Sequence, residues 1–297
     1  MSDTKPIRQG EELNAENLQA FLREKLNLQT DEIKISQFPS GNSNLTYCVK
    51  IGENEYVLRR PPFGNQVKSA HDMSREFNVL SKLSAVYAPA PKPLLYSDDE
   101  SVIGCEFYLM ERRKGLIIRG KSPEILESSG ELQRKVCESF IENLANLHAL
   151  DYKKIGLEDL GKPEGYVKRQ VEGWTKRYFN AKTDEHFELE KSIEWLNAKI
   201  PESHGASLIH NDYKFDNVML NPKDLTEIVA VLDWEMTTIG SPLMDLGSSL
   251  AYWMSKESGA ELLNMPFNPR VLMENISRLE LVEVYEEKSG KKASDML

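Results

Sequence analysis

The spacing of apolar positions switches several times along the chain, and each switch marks a change of element. From Glu11 to Leu28 leucines and Phe21 recur at helical intervals, with Asn14 suited to cap a helix ahead of Ala15 and Glu16. The period then shortens. Ile33 to Phe38 alternates as a strand, PSGNSN (39–44) makes a turn, Leu45 to Ile51 returns, and Glu55 to Arg60 forms a third strand. Met73, Phe77, Leu80 and Leu83 restore the helical interval across Ser69 to Leu83. Next, the proline-spaced stretch from Ala88 predicts an extended connector. Leu94 to Tyr96 and Glu106 to Glu111 read as paired strands split by the turn SDDES.

Around Arg112 to Gly115 the pattern changes from strand to helix. Ser122-Pro123-Glu124 opens a helical region, and Leu132 to Leu150, Lys168 to Phe179 and Glu188 to Ala198 carry amphipathic spacing, the last stopped by Pro201. His148 lies on an apolar stripe with no second His or Cys at metal spacing, which makes it a packed helix residue rather than a ligand. The tail from Pro269 reads as one helix, Arg270 to Glu287, followed by a lysine-rich turn. A chain of 297 residues is long enough for two sub-domains, placed at 1–111 and 112–297.

Composition narrows the function more than the fold. Hydrophobic residues at 40% and charged residues at 28% suit a packed globular chain and argue against disorder. A net charge of −10 argues against extended nucleic-acid or anionic-membrane binding, so basic residues in a cleft carry more information than those on the surface. Cys48, Cys105 and Cys137 are odd in number and widely spaced, which suggests neither a disulfide framework nor a zinc site, and reduced cytoplasmic thiols are the simple reading. The N-terminus lacks a signal-peptide core, and no apolar run is long enough to cross a bilayer.

The chemistry gathers in two stretches, LIHNDYKFDNVML (208–220) and VAVLDWE (229–235). His210-x-Asp212, four residues, Asn217, and then an apolar strand ending in Asp233 supplies what phosphoryl transfer requires. In this reading Asp212 accepts the proton of a substrate hydroxyl. Asn217 and Asp233 offer oxygen ligands of the kind magnesium prefers. The competing reading is a set of ordinary loop polars beside a buried strand, against which stands PLMDLG (242–247) close behind.

These motifs resemble those of the aminoglycoside phosphotransferase and choline kinase-like family, whose pattern is HGD, four residues, N, then DWE. Asn211 departs from it where glycine is usual. That departure, together with the tyrosine and valine of 166–167 and GWTKRY (173–178), is similar to a subgroup fused to acyl-CoA dehydrogenases. The resemblance implies a bilobal α+β, protein-kinase-like fold, with a small antiparallel-sheet lobe to about Glu111 and a mostly helical lobe after it. It implies ATP and Mg2+ as cofactors and a small-molecule hydroxyl as acceptor.

The resemblance also assigns the remaining positions. Backbone N–H groups of the turn Gly41-Asn42-Ser43-Asn44 and the Ser43 hydroxyl would cap phosphates, with a plain hairpin turn as the alternative. Arg59 stands where a lysine usually meets the α and β phosphates, with Arg60 competing by one residue of register; sharing a face with Val57 favours Arg59. Glu76 would aim that cation, or belong to a wet helix face with Asp72 and Arg75. Residues 112–115 would meet the adenine edge through backbone groups. Lys214 would neutralise the moving phosphoryl group or be a solvated loop lysine. His210 would support the loop, Glu235 would orient Asp233 or touch a metal-bound water, and Asp245 would accept backbone N–H bonds from the catalytic loop or simply cap its own helix. Related chains carry further C-terminal helices that wall the substrate site, and a chain stopping at Leu297 would leave that wall incomplete. The acceptor stays open between aminoglycoside-like, choline-like and hydroxyacyl compounds, and the alternative to an enzyme is a nucleotide-binding pseudokinase or regulatory module.

Overall fold

The computed structural model describes residues 3–27, 33–39, 44–64, 72–119, 122–201, 205–254, 258, 272 and 274–293. Two compact units emerge, Met1–Gly115 with Val229–Glu235, and Leu116–Ile228 with Met236–Leu297.

In the first unit β1 (Ile33–Gln37), β2 (Leu45–Ile51), β3 (Asn54–Arg60), β4 (Pro93–Ser97) and β5 (Phe107–Glu111) form one antiparallel sheet in the order β1-β2-β3-β5-β4. Strand alternation gives the sheet two different faces. Leu45, Tyr47, Val49 and Ile51 of β2, Leu58 of β3, and Phe107 and Leu109 of β5 join a core with Leu18 and Leu22 of α1 (Ala15–Leu26). The residues between them face the other way: Thr46 pairs with Arg59 and Arg59 with Tyr108, while Cys48 pairs with Val57 and Val57 with Met110.

Helix α1 begins later than its apolar pattern suggests. The Asn14 side chain accepts the Asn17 N–H, and this cap sets the start at Ala15. Helix α2 (Met73–Leu83) is capped by Asp72, whose carboxylate accepts the Arg75 N–H. Residues 69–71 lie outside the described residues. The SDDES turn contains a short helix, α3 (Glu100–Ile103), nucleated by Asp99 as its cap.

The second unit is mainly helical: α4 (Glu124–Glu127), α5 (Gly130–His148), α6 (Tyr166–Ala181), α7 (Phe187–Ala198), α8 (Pro242–Ala251) and α9 (Arg278–Ser289). Strand β6 (Ser207–Ile209) pairs with β9 (Thr238–Gly240), and β7 (Val218–Asn221) pairs with β8 (Asp224–Val231). The tail is not the single helix expected from Arg270. Glu274, Asn275 and Ile276 are bends, and Ser277 starts a new helix because its side chain and that of Glu280 form a reciprocal capping box. Residues 261–271 lie outside the described residues.

All three cysteines are buried and free. Among the described residues no helix is long and apolar enough to cross a membrane.

Two glycines of one neighbourhood serve opposite purposes. A Cβ on Gly240 would come within 2.5 Å of Ile209 Cδ1 and 2.8 Å of the Tyr166 ring, whereas on Gly247, exposed within α8, it would meet nothing within 4 Å. Gly240→Ala should therefore destabilise the protein by about 1–3 kcal/mol through overpacking. Gly247→Ala should stabilise it by about 0.5–1 kcal/mol by raising helix propensity. Urea unfolding of both variants checks the pair of signs.

Candidate active site

The alternating polar and apolar residues of Asp212 to Asp216 create the site in the second unit. Tyr213 and Phe215 are fully buried and stack on Phe140 of α5, with ring centroids 4.5 and 4.4 Å away. The Tyr213 hydroxyl donates to the Phe140 carbonyl at 2.9 Å, and Ser249 of α8 donates to the Tyr213 carbonyl at 2.7 Å. With these two residues anchored, Asp212 and Lys214 stay partly exposed.

Both Asp212 carboxylate oxygens are engaged. Lys214 Nζ reaches Oδ1 at 2.8 Å, and Asn217 Nδ2 donates to Oδ2 at 2.8 Å and to the Asp212 carbonyl at 2.9 Å. The Asn217 amide therefore braces the loop with its nitrogen and keeps its oxygen for another partner. Burial alone would lower the Lys214 pKa, but the hydrogen bond and charge of Asp212 outweigh it and raise it. His210 is fully buried, and its Nδ1 accepts the Asp212 backbone N–H at 3.2 Å.

Asp245 holds this loop from beneath. Its side chain does not cap its own helix, a task taken by Ser241. Instead, Oδ2 accepts the His210 N–H at 2.7 Å and Oδ1 the Asn211 N–H at 2.8 Å. His148 Nε2 donates to Oδ2 at 3.0 Å, while its Nδ1 faces the Tyr285 hydroxyl of α9 at 2.8 Å. His148 is thus a packed helix residue, as its apolar stripe suggests, and also a partner of Asp245, which the stripe does not reveal.

In the first unit Arg59, 7% exposed, gathers three carboxylates. Its guanidinium reaches Glu76 at 3.3 Å, Asp233 at 2.9 Å and Glu235 at 3.5 Å. Burial opposes the charge of Arg59, but Glu76 foremost and then Asp233 outweigh it and raise its pKa well above the ordinary value. Burial pushes the Glu76 carboxyl up, and Arg59 offsets this only in part. Glu76 is no wet face: it is 2% exposed and accepts the Trp234 N–H at 3.2 Å.

Arg60 lies on the opposite face of the sheet. Its guanidinium sits 3.7 Å from the Phe63 ring centroid and donates to the Pro61 carbonyl at 3.0 Å. Glu235 also accepts from Asn44 at 2.6 Å, and Arg75 donates to its carbonyl at 3.1 Å. Gly41, Asn42 and Ser43 lie outside the described residues.

Among the described residues no group of three or more His, Cys, Asp or Glu side chains is arranged to hold a metal ion. Mg2+ asks for less than such a group, taking one or two protein oxygens and completing its shell with phosphate and water. In the second unit Asn217 keeps an amide oxygen that is not spent on the loop, and in the first unit Asp233 Oδ1 is engaged by Arg59. Asp233, at φ 67°, is held in the left-handed region that non-glycine residues seldom adopt.

Local pattern does not reveal the roles of Tyr166 and Tyr285, the bond of Asn44 to Glu235 or the second role of His148. Their contacts link positions 45 to 191 residues apart, beyond the reach of local periodicity. One signal was readable, namely the alternation Asp-Tyr-Lys-Phe-Asp of 212–216, which separates anchors from chemistry.

The buried Asp245 charge sets a pH dependence. Burial raises its pKa, but the His148 hydrogen bond and electrostatics, with His210 and its N–H, outweigh that and lower it. As pH falls, the unfolded chain therefore takes up this proton before the folded protein does. The stabilisation is present above about pH 3.9 and is lost as pH falls toward the lower folded pKa. Asp245→Asn should cost on the order of 3 kcal/mol at pH 7, and below about pH 4 it should lose less stability than the wild type. Urea unfolding at a series of pH values checks both.

Residues 34–266 match the phosphotransferase enzyme family known as APH. Human acyl-CoA dehydrogenase family member 11 is 37% identical over 258 residues, covering 85% of this chain and 33% of that protein, so the chain spans about a third of its length. A solved structure of a putative aminoglycoside phosphotransferase from Ralstonia eutropha superposes with a TM-score of 0.77 at 29% identity, covering 95% of this chain and 82% of that one. The ternary complex of streptomycin, ATP and the phosphotransferase APH(2'')-IIa gives 0.58 at 18% identity, covering 94% and 84%, a likeness of fold. The bilobal kinase-like α+β fold expected from the motifs is the fold found, and the chain belongs to the APH phosphotransferase enzyme family.

Proposed function

We propose that this protein is a small-molecule kinase that moves the γ-phosphoryl group of ATP, with Mg2+, onto a hydroxyl of its acceptor. The observation that carries this reading is the interlock of Asp212, Lys214 and Asn217 on a loop anchored by Tyr213, Phe215 and Asp245. Membership of a phosphotransferase family and the ATP held by a structural neighbour support it.

Asp212 orients the acceptor hydroxyl and takes its proton. A loose transition state asks more for positioning than for strong basicity, so a partly exposed carboxylate held by two neighbours suits the task. Lys214 brings positive charge beside Asp212, where charge on the transferring group would be met. Asn217 and Asp233 hold the metal, whose charge neutralises the phosphates when bound. Arg59, aimed by Glu76, steadies the phosphates with its positive charge, and Glu235 orients Arg59 and Asn44. Gly41, Asn42 and Ser43 cap the phosphates in the same scheme. Residues 1–111 form the phosphate clamp and 112–297 carry the catalytic loop.

The acceptor is a small hydroxyl compound, with no nucleic acid or membrane involved, and the reaction is cytoplasmic. A metabolite panel followed by ATP consumption identifies the acceptor. Against that acceptor Asp212→Ala should lower kcat by roughly 1,000-fold or more while ATP affinity, measured by calorimetry, stays within about threefold. An unchanged kcat would refute the role of Asp212. Asn217→Ala should raise the Mg2+ concentration for half-maximal rate by about tenfold or more, read from a magnesium titration at saturating ATP, with no comparable effect from Asn221→Ala.

A further inference from the structure

We infer that Tyr166 and Asn211 form a positioning pair that fixes the backbone on which Asp212 is carried. This rests on the kinase reading above, but the residues and their geometry are separate from it.

Asn211 is tied at three points. Its backbone is in the left-handed region at φ 66°, a conformation asparagine tolerates better than most non-glycine residues. Its N–H donates to Asp245 at 2.8 Å. The side chain is gripped at both ends: Oδ1 accepts from the Tyr166 hydroxyl at 3.1 Å, and Nδ2 donates to the Met236 carbonyl at 2.9 Å. Three separate segments thus grip the residue immediately before Asp212. Glycine would adopt the same φ without strain and would offer neither side-chain bond, so the loop shape here is specified by a side chain.

Tyr166 is suited to act as a fixed post. It is the first residue of α6, preceded by Gly165 at φ 64°, and it is 6% exposed. Its ring occupies the slot left by the missing side chain of Gly240, where an added Cβ would lie 2.8 Å from Cε1 and Cζ. Burial raises the pKa of the hydroxyl, against the hydrogen bond to Asn211, so it stays a donor facing an oxygen that can only accept. The bond from Tyr166 to Asn211 spans 45 residues and ties the start of α6 to the loop.

A small displacement of a positioned group costs rate without weakening substrate binding. The test uses ATP with Mg2+ and water as the acceptor, and compares wild type, Tyr166→Phe, Asn211→Gly and the double variant. Tyr166→Phe should lower kcat by about tenfold and leave KM for ATP unchanged. Asn211→Gly should do the same although its backbone is relieved, and the double variant should be no worse than the poorer single one. Amide hydrogen exchange over 208–214 should quicken in each variant while exchange in α5 stays as in wild type. An unchanged kcat in Tyr166→Phe overturns the inference, as does a double variant whose losses multiply. A wild type that turns over no ATP would count against the kinase reading instead. Exchange then decides the pair, and unaltered protection of 208–214 in Tyr166→Phe overturns it.

Discussion

The second unit depends on one buried charge. Taking the Asp245 carboxylate out of water is costly, and it is tolerable only where the oxygens find donors. Here the donors are His148 and the N–H groups of His210 and Asn211. Because a carboxylate accepts and cannot donate, its demand orients both peptide groups and leaves the next residue, Asp212, with a defined origin. His148 in turn meets Tyr285, so α5, α8 and α9 are joined beneath the loop by two polar contacts. Asparagine at 245 would have one acceptor oxygen where two are used.

In both units a two-fold alternation sorts chemistry from packing. On β3, Leu58 enters the core with Phe107 and Leu109, and Arg59 faces the carboxylates on the other side. Along residues 212–215 Tyr213 and Phe215 enter the core while Asp212 and Lys214 do not. A slip of one residue would exchange the two sets, so apolar packing fixes which charges are presented.

This sorting explains what was legible beforehand. The Val57 face was enough to choose Arg59 over Arg60, because period-two alternation is a property of the strand itself. The limits of β2 could be read directly from Leu45 to Ile51, bounded by turn residues. Asn14 can be recognised as a cap from its type and place, and the helix does start after it at Ala15, although apolar spacing runs on through residues outside the helix. The tail shows a related limit: helical spacing alone does not register that Ser277 is the cap from which the helix Arg278–Ser289 starts. Glu76 could be matched to Arg59 by family pattern, whereas its burial depended on the sheet packed against α2. Tyr166 stands out beforehand only through the subgroup resemblance, because its partner lies in another segment and its slot depends on the absent side chain of Gly240.

In the proposed function Asp212, Asn217 and Asp233 serve one phosphoryl transfer. The most direct measurement is a crystal structure with a non-hydrolysable ATP analogue and Mn2+ in place of Mg2+, with the metal located by anomalous scattering. The account predicts a peak bound by the Asn217 amide oxygen, an Asp233 carboxylate oxygen and the phosphates, with Asp212 facing the terminal phosphate. Metal and nucleotide bound elsewhere, with Asn217 and Asp233 contacting neither, would contradict it.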